Sequence, residues 1–215
     1  EVQVSSNHFI QEQFRVDLLR SYGLEPRSRI LLIGPPGNGK TSLAEAYAEA
    51  LMVPLYVVKY DSLVGAYLGE TASRLRKLMD YVSTRKCVLF FDEFETLGKE
   101  RGDTHETGEI KRVVSSLLLQ IDNLPSHVIV IGATNHPELL DRAVWRRFQI
   151  KIFLPIPTRV NIVSWLDQFQ HKHKIRFEYA SETIAKKLLG INYAELEEFG
   201  LSILRQYVLS LPDSN

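Results

Sequence analysis

Ile30-Leu31-Leu32-Ile33-Gly34-Pro35-Pro36-Gly37-Asn38-Gly39-Lys40-Thr41-Ser42 runs from four apolar residues through a glycine-rich loop into helix-forming sequence. Residues Gly34 to Thr41 fit the pattern G-x-x-x-x-G-K-[ST] of a loop that cradles nucleotide phosphates. Glycines let the backbone turn and bring N–H groups against phosphate oxygens. The helix that opens at the end of the loop adds partial positive charge at the same point. Pro36, Gly37, Asn38, Gly39 and Ser42 are expected to line the nucleotide. Lys40 is expected to reach the β- and γ-phosphates, and the Thr41 hydroxyl to bind Mg²⁺. The rival reading is a glycine turn that matches by chance. The apolar run before the loop and the run Ser42-Leu43-Ala44-Glu45-Ala46-Tyr47-Ala48 after it, rich in helix formers, argue against that.

The remaining composition sets bounds. A chain of 215 residues can bury a substantial core. Its 45% apolar and 24% charged content is ordinary for a globular protein. Lys plus Arg and Asp plus Glu each number 26, so nothing in the net charge draws the chain toward nucleic acid or an anionic membrane. Cys87 is the only cysteine, which excludes an intrachain disulfide and suits a reducing, cytoplasmic setting. No apolar run approaches about 18 residues, so no membrane span is expected. The chain begins at Glu1 rather than Met, as a piece of a longer protein would.

Strand-like and helix-like segments alternate along the chain. Ile10, Phe14, Leu18 and Tyr22 predict an amphipathic helix over residues 7–22 that ends at Gly23. Residues 30–33, 55–58, 88–91, 128–131 and 150–153 read as strands. The run Val88-Leu89-Phe90-Phe91 is apolar throughout, as when helices cover both faces of a sheet. Between the strands, residues 71–82 and 110–121 carry helical spacing, residues 61–69 and 98–106 read as loops, and a short helix is expected over Pro137 to Arg142. The pattern predicts an α/β fold with a parallel sheet. After Leu154-Pro155-Ile156-Pro157 only helices are expected, near 159–172, 181–189 and 193–210. Two domains follow: residues 1–156 as an N-terminal helix with a large α/β nucleotide-binding domain, and residues 157–215 as a small helical domain.

Asp92-Glu93, at the end of an apolar strand about fifty residues after the phosphate loop, supplies the acidic half of a nucleotide site. Asp92 is expected to hold Mg²⁺ through water, and Glu93 to polarise the attacking water as general base. No N-K-x-D segment of the guanine-binding kind is found, which favours ATP. At this point the chain resembles the AAA+ ATPases. Gly34 to Thr41, Phe90-Phe91-Asp92-Glu93 and Ala133-Thr134-Asn135 resemble the Walker A, Walker B and sensor 1 motifs of that family. Leu139 to Phe148 resembles the segment that carries its arginine fingers, and Leu154 to Arg159 the entry to its lid. The paired Arg146-Arg147 before Phe148 is most similar to the branch of katanin and spastin.

The resemblance implies a P-loop NTPase three-layer parallel sheet with a small C-terminal helical lid, and a protein that hydrolyses ATP with Mg²⁺. It implies that Asn135 bonds the attacking water or the γ-phosphate. It also implies that Arg146 and Arg147 complete a neighbouring subunit's site in a homo-oligomer, most simply a hexamer. Ala66-Tyr67-Leu68-Gly69-Glu70-Thr71 looks like pore loop 1 of protein-translocating members, with Tyr67 gripping an extended polypeptide and Leu68 beside it. A separate protease or an adaptor is an expected partner, because no H-E-x-x-H or G-x-S-x-G motif lies in the chain. Three features depart from the family. Glu195 stands where an Asp is usual in Gly190 to Leu196, no sensor 2 arginine is found, and no glycine-rich segment precedes Leu24. Two rival functions remain: a nucleic-acid remodeller, and a nucleotide-dependent scaffold with little turnover.

Overall fold

In the computed structural model, residues 2–58, 68–97 and 106–211 are described. Among them, β1 (Arg29–Ile33), β2 (Leu55–Val58), β3 (Cys87–Phe91), β4 (Val128–Thr134) and β5 (Ile150–Phe153) form one sheet in the order β2-β3-β4-β1-β5. Every pairing is parallel. The apolar strand sequences follow from this arrangement. Leu31, Ile33, Cys87, Leu89, Phe91, Val128 and Val130 point into one core, and Ile30, Leu32, Val88, Phe90, Ile129, Ile131 and Ala133 into another. With helices on both faces, the inner strands have no polar side to display. At the edge, β5 alternates instead: Ile150 and Ile152 are buried while Lys151 and Phe153 are exposed.

The first core is closed by α4 (Leu68–Ser83), α5 (Glu106–Asn123) and α6 (Arg142–Arg147), through residues such as Leu75, Met79, Leu117, Ile121 and Val144. The second is closed by α1 (Val2–Phe14) and α3 (Lys40–Ala50), through Phe9, Ala44, Tyr47 and Ala48. The strand order reverses at β1: the chain leaves β1 for the far edge, returns through β3 to β4 beside it, and places β5 on its other side. The crevice beyond the carboxyl ends of the strands at such a reversal is where open α/β sheets bind ligands.

Three expectations are corrected. The helix predicted over residues 7–22 starts at Val2 and breaks at Arg15, with α2 (Val16–Ser21) following. Phe9 is its buried apolar residue, edge-on to Tyr47 at 5.1 Å, while Phe14 and Tyr22 are 61% and 78% exposed. Residues four apart drift about 40° per step around a helix, so the predicted stripe turns off the packed face. The helix expected over Pro137 to Arg142 is a 3-10 turn at Pro137–Leu139, after which α6 starts at Arg142. Asp141 sets that start, its side chain accepting the Ala143 N–H at 2.7 Å. Leu68 and Gly69 form the first turn of α4 rather than a loop. The loop predicted over residues 98–106 lies outside the described residues except for Glu106, which opens α5.

The chain divides into two compact units. One holds the sheet through Gly34 and again from Lys40 to Leu154; the other takes Pro35–Gly39 and the chain from Pro155 onward. The second unit contains α7 (Arg159–His173), α8 (Ser181–Lys187) and α9 (Tyr193–Leu209) around Ile162, Leu166, Ala185 and Leu196. Capping boxes start α7, at Thr158 and Asn161, and α9, at Asn192 and Glu195. No helix among the described residues is long and apolar enough to cross a membrane.

Candidate functional site

Lys40 opens α3 and is buried. Its Nζ donates to the Gly34 carbonyl at 2.7 Å and to Asn135 Oδ1 at 2.6 Å. Burial pulls its pKa below the ordinary lysine value, while the Asp92 and Glu95 carboxylates push back in favour of the charged form. Lys40 and Asn135 are ninety-five residues apart in sequence and are brought together because β1 and β4 are neighbours in register, Ile33 beside Thr134. Thr41 and Ser42 follow on the exposed first turn of α3.

Asp92 and Glu93 leave the end of β3 and are both exposed. Glu93 has a left-handed backbone, φ 49°, and its N–H donates to Asp92 Oδ1 at 2.9 Å. A non-glycine residue in that region costs about 1 kcal/mol or more, and such strain gathers at functional sites. The next residue, Phe94, is buried edge-on to Phe91 and Phe148. Glu95 follows in the 3-10 turn Phe94–Leu97 and is only 3% exposed. Its Oε1 accepts the Asn135 N–H at 3.2 Å. Sequence reasoning did not single out Glu95; the only signal was a third acidic residue in Asp92-Glu93-Phe94-Glu95.

The loop residues Pro35–Gly39 are held within the second unit by the start of α9. The Gly37 carbonyl accepts the Ala194 N–H at 3.0 Å, and Asn38 Oδ1 accepts the Tyr193 N–H at 3.3 Å. Gly37 has φ 74°, and a Cβ there would lie 2.6 Å from Asn192 Oδ1. Only glycine meets both conditions. Asn38 is buried, and its Nδ2 has no hydrogen-bond partner among the described residues. Asn192 is a second residue that sequence reasoning passed over. Its signal was an N-cap Asn with Glu195 three residues on, the mark of a capping box.

The two arginines differ. Arg147 donates through Nε to Asp122 Oδ2 at 2.8 Å and through a guanidinium N–H to the Ala143 carbonyl at 3.0 Å. Arg146 is exposed, with no hydrogen-bond or ion-pair partner among the described residues. Tyr67 lies outside the described residues, and Leu68 is described only as backbone at the start of α4.

The groups present fit a nucleotide with a hard divalent cation. Lys40 is a buried ammonium already held against oxygen acceptors. Thr41 and Asp92 offer an exposed hydroxyl and an exposed carboxylate, the oxygen ligands Mg²⁺ prefers, and Mg²⁺ needs few of them because it keeps several waters.

Known proteins resemble this chain over much of its length. Residues 30–156 match the family described as "ATPase family associated with various cellular activities (AAA)". An uncharacterized AAA family ATPase of Sinorhizobium fredii is 40% identical over 200 residues, covering 93% of this chain and 60% of that protein. The peroxisomal ATPase pex6 of Schizosaccharomyces pombe is 40% identical over 146 residues, 64% of this chain and 15% of that protein. A putative 26S proteasome regulatory subunit homolog of Methanothermobacter marburgensis is 33% identical over 176 residues, 80% of this chain and 47% of that protein. The chain therefore spans from 15% to 60% of the length of these relatives.

Proposed function

The chain belongs to the AAA family of ATPases, and from that premise we propose that it is the motor module of a ring that remodels, unfolds or threads protein substrates. The observation that carries the reading is the Lys40 ammonium bonded to Asn135 beside the Asp92 carboxylate. It gathers a phosphate-binding cation, an amide and an acid at the carboxyl ends of β1, β3 and β4.

In this reading Pro36, Gly37, Asn38, Gly39 and Ser42 surround the phosphates of ATP. Lys40 takes hold of the terminal phosphates in exchange for Asn135, whose side chain is then available to the attacking water. Glu93 accepts a proton from that water. Thr41 and Asp92 hold Mg²⁺, which neutralises charge on the phosphate oxygens. Arg146 and Arg147 reach a neighbour's nucleotide, where an arginine is worth on the order of 10³-fold in turnover. Arg146, lacking a partner among the described residues, is the readier of the two. The paired arginines before Phe148 also support a place near katanin and spastin within the family.

Two features support a protein as the thing worked on: the aromatic-aliphatic-glycine loop at Tyr67-Leu68-Gly69, and a relative named as a proteasome regulatory subunit homolog. That same name supports a separate protease or an adaptor as a partner. The lone Cys87 thiol, buried on β3, supports a cytoplasmic setting. The test is the ATPase rate with and without an unfolded polypeptide, for the parent and for Tyr67→Ala. The reading expects the polypeptide to stimulate the parent and to have no effect on Tyr67→Ala. Stimulation by DNA instead, weakening steeply with salt, would establish the nucleic-acid remodeller.

A further inference from the structure

Glu95 is a carboxylate buried where a soluble domain would ordinarily place an apolar residue. Its turn is anchored by Phe94, whose ring meets Phe91 at 5.8 Å and Phe148 at 5.4 Å, both edge-on. Glu95 follows Phe94 in that turn and is 3% exposed. One of its oxygens accepts the Asn135 N–H; the other has no hydrogen-bond partner among the described residues. A buried carboxylate with one oxygen unmet is destabilising relative to a packed apolar side chain. Stability alone does not account for it.

What it holds is the residue just beyond the strand. The ladder between β1 and β4 ends at Thr134, whose carbonyl accepts the Gly34 N–H at 3.2 Å. Thr134 Oγ1 accepts the His136 N–H at 3.0 Å. Between these two, the Asn135 N–H lies past the sheet and is met by Glu95. The main chain of Asn135 is thus fixed from one side by Glu95, and its side chain is held from the other by Lys40 Nζ.

We infer that Glu95 is a positioning residue for ATP hydrolysis: it sets the main chain of Asn135 so that the Asn135 side chain is aimed correctly once Lys40 releases it. The inference rests on the proposed role of Asn135 at the terminal phosphate. Glu95 is buried, two residues past Glu93. What it contributes is placement, and a misplacement of about 1 Å costs on the order of 10²-fold in rate.

The experiment is a kinetic cycle on the full chain, with kcat and the KM for ATP measured for the parent, Glu95→Gln, Glu95→Ala, Asn135→Ala and Glu95→Ala with Asn135→Ala. Thermal melting checks each variant's fold, and Glu95→Met, which fills the space without an acceptor, replaces Glu95→Ala if that variant does not fold. Glu95→Ala is expected to lower kcat by roughly 10- to 100-fold with KM within about threefold of the parent. Glu95→Gln keeps an acceptor for the Asn135 N–H and should stay within about threefold of the parent. Once Asn135 is gone, removing Glu95 should cost less than about twofold more. If Glu95→Gln is as slow as Glu95→Ala, or if the two losses multiply, Glu95 acts through its charge and the inference falls. If Asn135→Ala turns over like the parent, the role assigned to Asn135 fails and takes the inference with it. If Asn135→Ala is slow and Glu95→Ala is not, the inference alone fails.

Discussion

Gly37 shows how narrowly single positions are constrained in this loop. Its positive φ and its approach to Asn192 act together, so a methyl group at this position meets both backbone strain and a collision. Strain of this kind costs about 1–3 kcal/mol. Gly37→Ala is accordingly expected to weaken ATP binding by about tenfold or more, read by titration with a fluorescent ATP analogue; parent-like affinity would show that the loop conformation is not needed for binding. Gly37, Lys40 and Asp92-Glu93 were legible in the sequence because each belongs to a short pattern whose chemistry is local. Glu95 and Asn192 were not. The partner of Glu95 is forty residues further along the chain, and that of Asn192 lies in a loop more than 150 residues earlier. Nothing local marks a carboxylate as buried.

Elements were legible to the degree that their burial is simple. The inner strands lie between two cores, so their sequences are continuous apolar runs and their limits were read to within a few residues. The helix starting at Arg142 was misplaced because Pro137 is a strong helix-start signal but opens only a 3-10 turn here, and the Asp141 cap that sets the true start was not read. The N-terminal stripe misled because apolar residues at i, i+4 spacing need not all face inward. A further device was invisible: Arg29, on β1, closes the end of α5. Its guanidinium donates to the carbonyls of Ile121 at 2.9 Å and Leu124 at 2.7 Å, and to that of Val128 at 2.9 Å. Carbonyls at a helix end have no partner within the helix, and leaving buried ones unmet costs about 1–3 kcal/mol each. Arg29→Met is expected to lower unfolding stability by roughly 3 kcal/mol in urea titrations. A loss under about 0.5 kcal/mol would mean that water meets those carbonyls equally well.

At the scale of the whole molecule, the proposal is a site shared between subunits. In that proposal each chain uses Lys40, Asp92, Glu93 and Asn135 for its own nucleotide, and presents Arg146 on the exposed side of α6, with no partner among the described residues. Arg147, bonded to Asp122, braces that helix against α5. Phe148, which ends the helix, packs on Phe94 beside the Asp92-Glu93 turn, so the segment that would serve a neighbour rests on the chain's own acidic turn. A ring built this way has heterologous contacts that close by rotation, and its turnover depends on assembly.

Mixing two inactive variants tests this account most directly. Glu93→Gln keeps Arg146 and loses its own general base; Arg146→Ala keeps Glu93 and loses the arginine it would lend. Each alone is expected to turn over ATP at least about 10²-fold more slowly than the parent. Mixed in equal amounts under assembling conditions, they should recover roughly a quarter of the parent rate, because random assembly puts an intact Glu93 beside an intact Arg146 at that fraction of interfaces. A mixture that stays as inactive as its components, at concentrations where the parent's rate per chain has reached its plateau, would contradict the shared site.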